Sequence, residues 1–584
     1  MRRRARKRVR RLRPSYDDAV SITGDLDRAR RLAWASDEPG AKDLLLSLLP
    51  AIEKADRDDL ALEAFAQLGE IYLVRTAYDG VDECIRRIRD CIAAYAALPD
   101  RSPATRHMMQ RYTRRADFLQ AGLHAARGEH DQAAASVSAL VAADGPPDLA
   151  DEHRYLVGFA RLLCAVALSD DDLHHLAVPL WDQVLAVVNV SAADGSHDDR
   201  LLVLAGIGYG GFCVQTGRLD EAEPWLRRAG ARAEAHGWEL DTARTQLERA
   251  IACWSVGDHN GVDRLIDQAY PVIAKYARAH DVSRCWFYRG FTRLASAALE
   301  EADQCWEHAE RHWRELGKPL YLHRILLQRS WIPIFFGRFG EATELIAQAR
   351  TLLDEWPRSS WLQYARLDDQ LGTVWRADAL GDLGFDGAGD PEDTWDEVEA
   401  KHEASLGTTN AETGSPGFVR AMAKLEQAAE LKVPAALAVD SVRYTIVDAN
   451  ARAQWATRVS APMLAGAFAV SWEWENTALT AELIEYHSAR GSFSTDSGSD
   501  AEAPIWAGAQ TVLVDTEFEL PDLELADVAA GSVGGGPSLT RLGPLPPLQM
   551  DPGADPILGH YRALATQRYG RAITTDDPPW PTWS

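Results

Sequence analysis

Along residues 217–353 the chain alternates polar stretches with small and large apolar residues at three- and four-residue steps, and the whole pattern returns every 40 residues. Four segments align without gaps: GRLDEAEPWLRRAGARA from Gly217, GDHNGVDRLIDQAYPVI from Gly257, AALEEADQCWEHAERHW from Ala297 and GRFGEATELIAQARTLL from Gly337. One column holds Ala222, Val262, Ala302 and Ala342, the next Leu226, Ile266, Trp306 and Ile346, and a third Ala229, Ala269, Ala309 and Ala349. Small, large and small residues at these steps form one face of an α-helix, and the leading glycine marks a tight turn before it. The pattern predicts stacked helical hairpins, an all-α solenoid.

Upstream, AFAQLGEIY carries Leu68, Gly69 and Tyr72 in the spacing of a tetratricopeptide first helix. ARGEHDQAAASVSALVA, with Gly128, Ala133, Val137 and Leu140, matches the second. The chain over 15–382 therefore resembles the tetratricopeptide repeat family, with a 40-residue unit instead of about 34, which implies longer helices. That resemblance implies protein or peptide recognition on the array.

The same periodicity bears on LLVLAGIGYGGFCV, where Gly206, Gly208 and Gly211 spell a dinucleotide-binding fingerprint. Such a site needs a strand before the glycines, a helix N-terminus facing the pyrophosphate, and a second strand with an acid about 20 residues on. The next segment is instead the helical one from Gly217, so the glycines fall inside a first helix, with Gly210 at the small-residue position of hairpin packing. No cofactor is expected.

After residue 382 the pattern breaks. Residues 383–417, rich in Gly, Asp, Glu and Thr, read as an acidic linker. A helical module is expected over 418–491: an amphipathic FVRAMAKLEQAAELK, a helix restarted by Pro434, one capped by Asn450, one begun at Pro462 and one capped by Thr477. Residues 492–584 turn to Pro, Gly and Ser, predicting irregular chain docked by RLGPLPPLQM, with one short helix at 557–570. The phrases LKVPAALAVDSVRYTI, WEWENTALTAELIEYHSARG and LGPLPPLQM resemble the C-terminal accessory segment of actinobacterial proteins that join tetratricopeptide arrays to a CHAT, or caspase-like, peptidase domain. That family's peptidase uses a His and a Cys on a sheet-centred domain, whereas every Cys here lies at or before Cys305. The resemblance implies an adaptor or regulatory half that lacks the peptidase, with a CHAT-type peptidase as one expected partner.

Charge narrows the partners further. The net charge is −25, and the first thirteen residues, MRRRARKRVRRLR, hold nine positive charges, so residues 14–584 carry −34. Such a body repels phosphate backbones and favours a basic protein or peptide, leaving nucleic acid only to the basic arm at 1–14. No apolar stretch succeeds the arm, which excludes a secretory signal, and no uninterrupted apolar run reaches about 18 residues, which excludes a membrane partner. The seven Cys lack a CxxC pair and read as reduced thiols in a cytoplasm.

Other chemistry is sparse. Cys305, His308 and His312 sit at i, i+3 and i+7 and could share a helical face toward a metal, against the plainer reading of a histidine-rich solvent face. Glu482, Glu485 and His487 read as a solvated helix face. Of the many Trp, those at 225, 254, 286, 306, 313, 331, 361 and 375 fall on repeat helices and are expected mostly in the core. HExxH, GxxxxGK[ST] and GxSxG are absent. The expectation is a non-enzymatic scaffold or adaptor in bacterial signalling or CHAT-linked defence. A ligand- or peptide-sensing regulatory solenoid is the alternative, and a cryptic hydrolase in the C-terminal module the remote one.

Overall fold

The computed structural model describes residues 16–143, 145–171, 173–190, 196–357, 359–445, 449–489 and 544–582. The basic arm at 1–14 and the tail before residue 544 lie outside them. The fold is all-α and solenoid-like, with successive helices packed in pairs. Among the described residues no helix is long and apolar enough to cross a membrane. The chain divides into two compact units, residues 1–212 with 221–248, and residues 213–220 with 249–584.

The 40-residue unit is two equal halves. Gly217, Gly237, Gly257, Ala277, Ala297, Gly317 and Gly337 succeed one another every 20 residues, and all adopt φ between 51° and 79°. Each closes a helix by the left-handed C-terminal turn that glycine favours. Trp238 N donates to Ala233 O at 2.9 Å, Asp258 N to Cys253 O at 3.0 Å and Ala298 N to Arg293 O at 2.9 Å, the six-to-one bond of that turn. The five helices between Gly217 and Gly317 are each 17 residues long, which accounts for a unit longer than 34, and the interval before Gly337 holds two shorter helices of 11 and 5 residues.

The first unit contains α1 (Tyr16–Trp34), α2 (Glu38–Ala55), α3 (Asp58–Val74), α4 (Tyr78–Ala96), α5 (Pro103–Ala126), α6 (His130–Val141), α7 (Ala150–Asp170) and α8 (His174–Val190). It also takes most of α9 (Ser196–Gln215), α10 (Leu219–Ala235) and the first half of α11 (Glu239–Ser255). Helices approach closely at small residues, within a hairpin and between neighbouring hairpins. A Cβ on Gly69 would lie 2.5 Å from the Leu119 side chain, and one on Gly80 would lie 2.8 Å from the Tyr72 ring. Leu68, Ala133, Ala222, Leu226 and Ala229 are buried.

The second unit continues with α12 (His259–Lys275), α13 (Ala279–Ala295), α14 (Leu299–Glu315), α15 (Pro319–Arg329), α16 (Trp331–Phe335), α17 (Phe339–Asp354) and α18 (Trp361–Asp382). Val262, Ile266, Ala269, Ala302, Trp306, Ala309, Ala342, Ile346 and Ala349 are at most 2% exposed, so the columns read from sequence are the buried stripe. Trp254, Trp306 and Trp313 are buried, whereas Trp225, Trp286, Trp331, Trp361 and Trp375 are half-buried.

The acidic stretch expected as a linker is folded. Asp386, Asp390, Asp393 and Glu397 serve as caps and turn acceptors. Asp386 accepts from Ser405 Oγ at 2.8 Å, Leu406 N at 2.9 Å and Thr408 Oγ1 at 2.9 Å, and these bonds, led by that from Leu406, draw its carboxyl down to about 2. α19 (Trp395–Ala404) opens with a capping box, Thr394 N donating to Glu397 at 2.8 Å, and Trp395 meets the Phe336 ring edge-on at 4.7 Å.

Next come α20 (Pro416–Ser441), α21 (Ala449–Trp455), a π turn at Ala456–Ser460, α22 (Ala461–Glu473) and α23 (Thr477–Ala489). Pro434 does not restart a helix. α20 runs straight through it, because tertiary packing over Leu425–Val439 outweighs the lost bond. α21 begins at Ala449, one residue before the expected Asn450 cap. The cap of α23 is Asn476, whose Oδ1 accepts from Leu479 N at 3.0 Å, and Thr477 lies inside the helix. Lys432 is buried where α18, α20 and α22 cross at glycine. It donates to Asp369 at 2.8 Å, and a Cβ on Gly372 would lie 2.6 Å from its stem. The described end of the chain carries the expected short helix, α24 (Gly559–Tyr569), and Leu548 of the RLGPLPPLQM stretch is docked in this module's core; the two-residue strands β1 (Leu548–Gln549) and β2 (Trp580–Pro581) pair in parallel.

Candidate functional site

The glycine fingerprint lies wholly within α9, so no strand-to-helix turn exists to hold a pyrophosphate. Each glycine admits a different neighbour. A Cβ on Gly206 would fall 2.7 Å from Ala229 Cβ and 3.1 Å from Trp225 O. One on Gly208 would meet Trp181 at 2.7 Å, one on Gly210 Leu226 at 2.5 Å, and one on Gly211 Glu248 at 3.1 Å. The run is a helix crowded on all sides.

The densest polar constellation of the first unit crosses its odd-numbered helices. Glu63 on α3 is the hub. It accepts from Arg30 of α1, from Arg115 Nη1 of α5 at 2.7 and 2.8 Å, from Gln67 Nε2 at 2.9 Å and from Tyr112 Oη at 3.1 Å. Burial pushes this carboxyl up, but Arg115, Arg30, Gln67 and Arg111 together outweigh it and hold it well below the usual carboxylate range. Two turns further on, Glu70 receives a single bond, from Arg115 Nη2 at 3.0 Å, and there burial wins and raises the carboxyl.

The ladder continues through Glu152 of α7, which accepts from Arg111 Nε at 2.7 Å. It is extended by Arg200 of α9, which donates to the fully buried Asp241 of α11. Aromatic rings close it. His197 meets Trp34 at 5.1 Å and Tyr155 at 4.9 Å, both edge-on, and Trp34 meets Trp238 at 6.3 Å. Burial, with Arg30 and Arg115, pushes the His197 imidazole down to about 4, so it is neutral at pH 7. With Glu63, Arg115 and Asp241 buried, the paired charges tie alternate helices together and hold their register. They do not place a nucleophile beside a base.

These residues escaped sequence reading because the partners lie roughly 30 to 50 positions apart and obey no local period.

The three residues considered for a metal do not assemble. Cys305 is 6% exposed and burial pushes its thiol up to about 11, while the His308 ring packs against Trp286 at 5.0 Å. No group of three metal-ligating side chains converges among the described residues. Cys84, Cys164 and Cys285 are likewise buried, with thiols raised to about 12. In the C-terminal module Glu482 is a structural acceptor for Leu558 N at 2.7 Å, and His487 stands edge-on to Phe468 at 6.2 Å. No protein-family model matches the chain, and no curated protein matches it either.

Proposed function

We propose that the chain is a non-enzymatic protein- or peptide-binding scaffold of the tetratricopeptide type, acting as an adaptor in bacterial signalling or in a CHAT-linked defence system. The observation that carries this reading is the division of labour within each hairpin. Second helices spend their small and large apolar columns on packing, which leaves first helices to carry partly exposed polar and aromatic groups such as Glu70, Glu152 and Trp34. A stack of such faces offers an extended surface whose chemistry varies from repeat to repeat. The acidic body favours a basic partner and fast, salt-sensitive association. Carboxylate-directed cross-linking of a reconstituted complex tests this: links should fall on acids of successive repeat helices, and links confined to the termini would overturn it.

A regulatory solenoid that senses a ligand or peptide is the second reading. It is favoured by the geometry at Glu70, a partly exposed carboxylate that accepts one hydrogen bond, from Arg115 Nη2 at 3.0 Å, and so keeps acceptor capacity for a cationic ligand group.

A further inference from the structure

The first helices of the first unit close around an axis. Arg30 of α1 donates to Glu63 of α3, Arg115 of α5 joins Glu70 of α3 at 3.0 Å and Glu152 of α7 at 3.7 Å, and Tyr155 of α7 meets His197 of α9 at 4.9 Å. Trp34 at the end of α1 meets His197 at 5.1 Å and Trp238, the residue before α11, at 6.3 Å, so α11 returns to α1. In this unit a guanidinium repeatedly finds a ring and a carboxylate together. Arg111 lies over Tyr112 at 5.6 Å and donates to Glu152, Arg127 lies over Tyr78 at 5.9 Å and donates to Asp82, and Arg200 lies over Trp238 at 5.1 Å and donates to Asp241.

At Glu70 the same elements stand without a guanidinium of their own. Arg115 is shared with Glu63 and donates only to Glu70 Oε1, while Oε2 accepts from none of the described residues. The Glu70 side chain is 24% exposed, which opens the place to solvent. Trp34 is half-buried, and the two residues lie one and two turns beyond the Arg30–Glu63 pair, toward the same ends of α1 and α3. Burial and the Glu70 charge together push the Tyr155 hydroxyl up, so the two groups lie within electrostatic reach. Tyr155 is 5% exposed, yet its hydroxyl makes no hydrogen bond among the described residues, an unpaired buried group that a ligand would satisfy. The neutral His197 imidazole adds no opposing charge.

We propose that Glu70, the Tyr155 hydroxyl and the Trp34 ring form a receptor for a guanidinium group, carried by a free guanidino compound or by an arginine side chain of a peptide. The planar fork of donors suits the open Glu70 oxygen and the hydroxyl, and the flat cation suits the indole, as in the three internal pairs. The assignment deepens, and rests on, the reading of the array as a ligand- or peptide-sensing solenoid.

Fluorine NMR on the full chain labelled with fluorotryptophan tests it, the Trp34 resonance being assigned with Trp34→Phe. N-acetyl-argininamide should shift that resonance, and its uncharged isostere N-acetyl-citrullinamide should not. A glycine-flanked arginine pentapeptide that binds more tightly than the single residue identifies a peptide side chain as the source, and equal affinity identifies a free guanidino compound. Glu70→Gln leaves Arg115 on Glu63 and should weaken either ligand by about tenfold or more. Tyr155→Phe removes a hydroxyl that no described residue uses, so the fold should persist while affinity falls severalfold. Unchanged affinity in both variants, equal shifts from the arginine and citrulline derivatives, or no shift from either arginine probe at millimolar concentration overturns the proposal. A basic partner protein held equally by wild type and Glu70→Gln overturns this site alone and leaves the reading of the array as a binding surface standing.

Discussion

Replacing Gly206 by alanine sets two effects of known size against each other. In a helix interior alanine is favoured over glycine by about 1 kcal/mol, so where space is open the change stabilises. At Gly206 the added Cβ lies 2.7 Å from Ala229 Cβ and 3.1 Å from the Trp225 carbonyl. Both atoms belong to α10 at or next to its backbone, so relief requires α9 and α10 to separate. Overpacking of this kind costs about 1–3 kcal/mol, and a contact so far inside the optimal carbon separation of about 3.5–4.0 Å belongs at the upper end. The net expectation is a loss of about 1–2 kcal/mol.

Gly24 in α1 is the internal control. It also lies within a helix of the first unit, but nothing stands within 4 Å of its would-be Cβ, so Gly24→Ala should gain about 1 kcal/mol. Urea unfolding together with hydrogen exchange on α9 and α10 reads both variants in the unit that carries them. Opposite signs support the packing account of the glycine run. A Gly206→Ala variant that gains stability as Gly24→Ala does would refute it, as would calorimetric binding of a nicotinamide dinucleotide that the substitution abolishes.

The same geometry sets three further expectations. Ala297 occupies the left-handed turn position where its repeat neighbours carry glycine, at φ 61°, so Ala297→Gly should raise stability by about 1 kcal/mol in thermal unfolding. Glu63→Ala should cost about 3–5 kcal/mol by chemical denaturation, because Arg30 and Arg115 lose their buried counter-charge. Since the Glu63 carboxyl is lower in the folded than in the unfolded chain, its stabilisation is present above the unfolded value of about 4.3 and fades as pH falls below it. The acid-unfolding profile of the Glu63→Ala variant should therefore be shallower than that of the wild type. Removing the α23 cap with Asn476→Ala should cost about 1 kcal/mol, whereas Thr477→Ala should cost less.

The repeat was legible because packing between neighbouring helices imposes a local period. Gly217, Ala222, Leu226 and Ala229 announce a hairpin wherever they recur. The halving at 20 residues was also present, in Gly237 and Gly317, but two of the seven turn positions are Ala277 and Ala297, which hide the glycine signal. The acidic stretch 383–417 misled because composition cannot distinguish a solvated carboxylate from one that, like Asp386, closes a turn through several donors. Pro434 misled for a related reason: the donor that completes α20 is Arg568, more than 130 residues away. The Glu63 ladder was illegible for the same cause, since its charges pair between repeats.

The central claim, that this array exists to hold another protein, is tested most directly by affinity purification of the full chain from its native host, with quantitative mass spectrometry of what co-elutes at low and at high salt. The account predicts one protein retained in near-stoichiometric amount, basic in composition and released by salt. A full chain that elutes alone under both conditions would contradict it.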